Sequence, residues 1–103
     1  MPTYRIHYMK PDFFRDGMIG RKPDIAKLSD THAYLRTVEA VSLDQVYTFS
    51  QGEVWSPNGE ARDLIRSKDL RHTSMSVGDV IEDQDGEFFV VASFGFDRLG
   101  SMF

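Results

Sequence analysis

Four residues within a span of eight, His72, Ser74, Ser76 and Asp79, are the types from which a hydrolase assembles a base, a nucleophile and an orienting acid. Such chemistry needs the base within hydrogen-bond reach of the hydroxyl and the acid behind the base. Closeness along the chain does not supply that geometry, and no Gly-x-Ser-x-Gly elbow is present. Serine and aspartate also cap loops by bonding nearby backbone amides, and that use accounts for the same residues. The sequence therefore assigns no catalytic residue.

Metal and phosphate chemistry fare no better. His7, His32 and His72 stand alone, without His-x-x-His or His-Glu-x-x-His spacing. Asp83-Gln84-Asp85-Gly86 has the look of a calcium loop, but the first ligand position falls on Ile81 and no Glu follows at the twelfth place. Gly17-Met18-Ile19-Gly20 lacks the Lys-Ser/Thr of a phosphate-binding loop. With no cysteine, disulfides, thiolate catalysis and sulfur-based zinc sites are excluded. No cofactor or metal is expected.

Binding is the remaining class. Arg62, Arg66, Lys68, Arg71 and His72 form the densest basic cluster, though Glu60, Asp63 and Asp69 interleave with it and blunt a nucleic-acid reading. Trp55, beside Tyr47 and Phe49, is either core or an aromatic hot spot, and the turn from Glu53 to Gly59, which includes Asn58, is the place to seek a partner. Trp55, Asn58, Arg62, Arg66, Arg71 and His72 are the candidate interaction residues.

The elements that must position them read as α+β. Tyr4, Ile6 and Tyr8 alternate with Arg5, His7 and Met9, so Thr3 to Met9 is a half-buried strand. Asp12 is placed to cap a short helical turn over residues 12–18, and residues 17–32 read as a long connection, mobile or ligand-binding. Ala33 to Ala40 is a second strand. Ser42 and Gln45 form a capping box, with Val41 and Val46 as its staple, for a helix from Leu43 to Gln51 that buries Leu43, Val46, Tyr47 and either Phe49 or Ser50 and stops at Gly52. Pro57-Asn58-Gly59 is turn chemistry before a shorter helix, Glu60 to Lys68, capped by Asn58. Val80 to Asp83 and Glu87 to Phe94 make a hairpin around Asp85-Gly86, and the tail at 100–103 is expected to fray. The expected architecture is an antiparallel sheet of about four strands with one or two short helices packed on one face.

Length and charge bound the rest. A chain of 103 residues holds one core, so a single domain over 1–103 is expected. A net charge of −4 implies neither nucleic acid nor strong DNA mimicry, although Asp79 to Asp97 carries six acids and no base. There is no apolar run of membrane-spanning length, and the opening MPTYRIHYMK lacks an export-signal pattern, so no membrane association and a cytoplasmic location are expected.

The segments LRHTSMSVGDVI, Leu70 to Ile81, and GEFFVVASFGFDRL, Gly86 to Leu99, resemble the YodL-like family of small domains of phages, plasmids and mobile elements. The resemblance rests on Ser74-Met75-Ser76-Val77-Gly78-Asp79-Val80 and on Gly95-Phe96 one hairpin later, and extends over about Leu35 to Leu99. It implies a noncatalytic accessory domain with no cofactor. The functional expectation is a small regulatory domain, not an enzyme, that binds a protein. A small-molecule or nucleotide binder, and then a nucleic-acid module, stand behind it.

Overall fold

The computed structural model describes residues 1–15 and 22–101. Its centre is a five-stranded antiparallel sheet in the order β2-β1-β3-β4-β5, built from β1 (Thr3–Met9), β2 (His32–Glu39), β3 (Val80–Asp83), β4 (Glu87–Val91) and β5 (Phe96–Ser101). Around it lie α1 (Leu28–Thr31), α2 (Leu43–Phe49), α3 (Gly52–Trp55) and α4 (Arg62–Ser67), with 3-10 turns at Pro11–Phe13 and Ile25–Lys27. The fold is α+β as expected, with one strand more than expected.

The period-two pattern of β1 decides the layers. Tyr4, Ile6 and Tyr8 face a core made with Leu35, Val46, Ile65, Leu70, Met75, Ile81 and Val91, which α2, α3 and α4 cover. Arg5 and His7 face the other way, where Leu28, Val80, Phe88 and Val90 form a smaller core edged by Ile25 and Leu99. The sheet is thus covered on its second face too, by the segment around Ile25–Thr31. A bulge between Ile6 and His7 skips Leu35 on β2, which lets Leu35 and Arg36 both turn toward the helices while Tyr34 stays on the opposite face.

Several boundaries differ from the sequence reading. β4 stops at Val91, because Ala92 N–H bonds Gly95 O at 3.0 Å and closes a turn; the chain comes back as β5, so Gly100 and Ser101 are strand and not frayed tail. Residues 102–103 and 16–21 lie outside the described residues, and with them the last three residues of the expected turn at 12–18 and the first part of the 17–32 connection. The remainder of that connection is ordered by Asp24, whose Oδ1 accepts from Ala26 N at 3.0 Å, and by burial of Leu28. Asp12 is not the cap of the first 3-10 turn, which has Pro11 at its first position and Lys10 before it.

Ser42 does cap α2, its Oγ accepting from Gln45 N at 3.2 Å, while Gln45 Oε1 accepts from Val41 N at 2.8 Å. The staple is absent, since Val41 is 62% exposed. Val46 and Ser50 are buried and Leu43 is half-buried against the core, which leaves Tyr47 and Phe49 outward. Gly52 does not end α2 but opens α3, and Asn58 does not cap α4: the cap position is Ala61, whose N–H goes to Ser56 Oγ at 2.9 Å.

Gly95 has φ +73° with open space around its α-carbon, so backbone conformation alone resists a side chain there. Gly95→Val is expected to lose about 1–3 kcal/mol in urea unfolding, against roughly 1 kcal/mol for Ser42→Ala. A valine variant as stable as the parent contradicts the turn.

Candidate functional site

Asp79 is the polar centre of the molecule. It is 1% exposed, and its carboxylate accepts from Met9 N at 2.8 Å, Ser76 N at 2.8 Å and His72 Nε2 at 2.8 and 3.1 Å. A buried carboxylate requires such donors, because desolvation of the charge is otherwise far too costly. Since the carboxylate accepts, His72 carries its proton on Nε2, and its Nδ1 is buried without a partner among the described residues. The ring stacks on Tyr8 at 4.4 Å and meets the edge of Phe14 at 5.2 Å.

The serines are engaged elsewhere. Ser74 Oγ accepts from Gly52 N at 2.7 Å, and Ser76 Oγ donates to Ser74 O at 3.2 Å. Among the described residues neither hydroxyl bonds His72, so the four residues do not form a chain of nucleophile, base and acid. What they do instead is tie the 70–79 segment to β1 and α3. Tyr8 Oη and Trp55 Nε1 both donate to Thr73 O, at 2.6 and 3.0 Å, which adds a second knot. Burial, and then Asp79, push the Tyr8 phenol well above its ordinary range, so it remains a donor.

The candidate interaction residues fall into separate places. Trp55 is a half-buried pin, held by Thr73 O and roofed by Arg36, whose guanidinium lies 4.0 Å from the ring centre. His72 belongs to the Asp79 knot. Asn58 is exposed and turns inward on its own loop, its N and Nδ2 donating to Glu60 at 2.9 and 3.2 Å. Arg62, Arg66 and Arg71 come together, lining one open groove of about 410 Å3 with Ser56, Thr73, Ile65 and Leu70.

On the second face of the sheet His7, His32, Tyr34, Glu82 and Phe88 border a groove of about 400 Å3. His32 Nε2 donates to Gly78 O at 2.7 Å, and its Nδ1 lies 2.7 Å from Thr31 Oγ1. Burial lowers the pKa of His32, and also that of His7 despite its 3.1 Å bond to Glu82. The unfolded chain, whose histidines titrate near about 6.5, then binds protons that the folded chain refuses. Stability is full above that value and is lost as pH falls below it, by at most about 1.4 kcal/mol per pH unit for each site. Urea midpoints that decline from pH 8 to 5.5, less steeply in His32→Gln, are expected; a flat profile contradicts the neutral pair. Among the described residues no group of three His, Asp or Glu could hold a metal, and no helix is long and apolar enough to cross a membrane.

One feature escaped the sequence reading. Phe94 sits in the β4–β5 turn with 97% of its surface exposed, between Ser93 and Gly95, which with Asp44, Tyr47, Val77, Val91 and Phe96 line a groove of about 290 Å3. The signal was present: a Phe flanked by Ser93 and Gly95 is an aromatic placed in turn chemistry, and a strand continued through Phe94 hides it. No protein-family model, curated protein or solved structure matches this chain, and the functional reading therefore stands on its own geometry.

Proposed function

We propose that this chain is a small noncatalytic domain that works by binding another protein through the β4–β5 turn. The observation that carries the reading is Phe94. A phenylalanine held almost wholly in water by an ordered turn contributes nothing to the core, and large aromatics dominate the energetics of interfaces. Tyr47 and Val77, 37% and 41% exposed, extend the apolar surface into the adjoining groove. Asp44 lines that groove without an ion pair among the described residues. The fitting partner is a protein segment that offers one bulky apolar side chain beside a lysine or arginine. The spending of His72, Ser74, Ser76 and Asp79 on scaffold, and the resemblance to YodL-like accessory domains of mobile elements, support the same reading.

A photo-crosslinking phenylalanine analogue at position 94 tests it in the native lysate, with the same analogue at exposed Asp85 as control. A protein cross-linked only from position 94, and binding the purified domain at least about tenfold more weakly after Phe94→Ala while the melting temperature holds, is the expected result. An adduct with a second copy of the chain makes the surface a self-association site instead. Equal labelling from both positions, or unchanged affinity in Phe94→Ala, refutes the proposal.

A further inference from the structure

The arginine groove lies apart from Phe94, and its composition is unusual for this chain. The sequence has 16 acidic residues against 12 lysines and arginines, yet the groove gathers Arg62, Arg66 and Arg71 with no carboxylate among the described residues of its lining. None of the three makes an ion pair among the described residues. Of the acids that interleave with them in sequence, Glu60, Asp63 and Asp69, none is on the described lining of the groove. Glu60 is held by Asn58, whose backbone and side-chain donors stabilise its charged form. Asp63, one residue past Arg62, is rotated about 100° from it around α4 and makes no ion pair among the described residues. Arg62 and Arg66, four apart, share a face.

The remaining lining suits an anion. Ser56 Oγ accepts from Ala61 N and so keeps its own proton to donate, and the Thr73 hydroxyl has no partner among the described residues. A β-carbon at Gly59 would come within 3.0 Å of Arg62 Nη2, so the missing side chain is what lets that guanidinium lie against the turn. Ile65 and Leu70, 7% and 5% exposed, supply an apolar patch at the groove's inner side. Guanidinium groups match phosphate oxygens bidentately, and three of them balance the two to three negative charges of a phosphate monoester or a diphosphate.

We propose that the groove formed by Arg62, Arg66 and Arg71 binds a small organic phosphate, its phosphoryl oxygens on the guanidiniums and its organic body against Ile65 and Leu70. At about 410 Å3 the groove has the volume of a small-molecule site. Nucleic acid fits less well, since that mode of binding needs basic surface extended along many phosphates and the net charge here is −4.

Titration calorimetry with inorganic pyrophosphate, a nucleoside diphosphate and a short single-stranded oligonucleotide tests the assignment. Expected are saturable one-to-one binding of both small ligands, tighter for the nucleotide because of its body, and about a tenfold or greater loss in Arg66→Gln and Arg71→Gln. Arg66→Lys should lose less than Arg66→Gln but not recover fully, because charge without the planar fork is only part of the interaction. Phe94→Ala should bind as the parent does, which separates this site from the protein-docking surface. If a glutamine variant unfolds, phosphorus-31 line broadening of pyrophosphate by the parent protein decides. No broadening, equal affinity in the triple Arg→Gln variant, or binding confined to the oligonucleotide overturns the proposal.

Discussion

Asp79→Ala is expected to lose about 3–5 kcal/mol, the scale for deleting one partner of a buried ionic network. Small domains hold only about 5–15 kcal/mol in total, so this single change removes a large part of the stability. The loss has three sources: Met9 N, fully buried, and Ser76 N and His72 Nε2–H, partly buried, are left without their acceptor. Asp79→Asn keeps the shape but turns an amide NH2 toward donors, and should lose less than alanine while remaining clearly destabilised. Urea unfolding followed by circular dichroism measures both. A loss under about 1 kcal/mol for Asp79→Ala would mean that the carboxylate is not the knot described here.

Tyr8→Ala should rank next, at about 3–5 kcal/mol for removal of a buried aromatic. Tyr8 is 0% exposed, stacks on His72 and donates to Thr73 O, so its ring and hydroxyl act at one junction. Tyr8→Phe separates the two contributions. Thr73 O keeps the Trp55 donor at 3.0 Å, so loss of the hydroxyl should cost only about 1 kcal/mol. Comparable losses in the two variants would assign the junction to the hydrogen bond and contradict the packing argument. The tie matters for the proposed ligand site, because Thr73 lies on the arginine groove and Tyr8 and Trp55 together fix its carbonyl.

How much of this was legible in the chain follows from how local each signal is. The alternation of Tyr4, Ile6 and Tyr8, the Ser42 cap and the Asp85-Gly86 turn act through neighbours a few residues away, and each reads directly. Gly86 has φ +81°, and Asp83 Oδ1 accepts from Asp85 N and Glu87 N, which completes that turn. The fifth strand did not read, because Phe96 to Ser101 contains Gly100 and little alternation; it is a strand because β4 offers it backbone partners. The end of β4 was misplaced for a related reason: Ala92, Ser93 and Phe94 continue an apolar run, and only the bond to Gly95 O shows that the chain has turned.

The sequence by itself determined the class of the fold, the first strand, the β3–β4 hairpin and the cap of α2, since these depend on side-chain period and short-range hydrogen bonding. Tertiary structure alone decided what the charged and polar residues do. Asp79 became a buried hub through Met9, seventy residues away in the chain, and Arg62 and Arg66 of α4 met Arg71, beyond its end, in a groove with no carboxylate among the described residues of its lining. Partners so distant are chosen by the packing of the whole sheet, which no local pattern encodes.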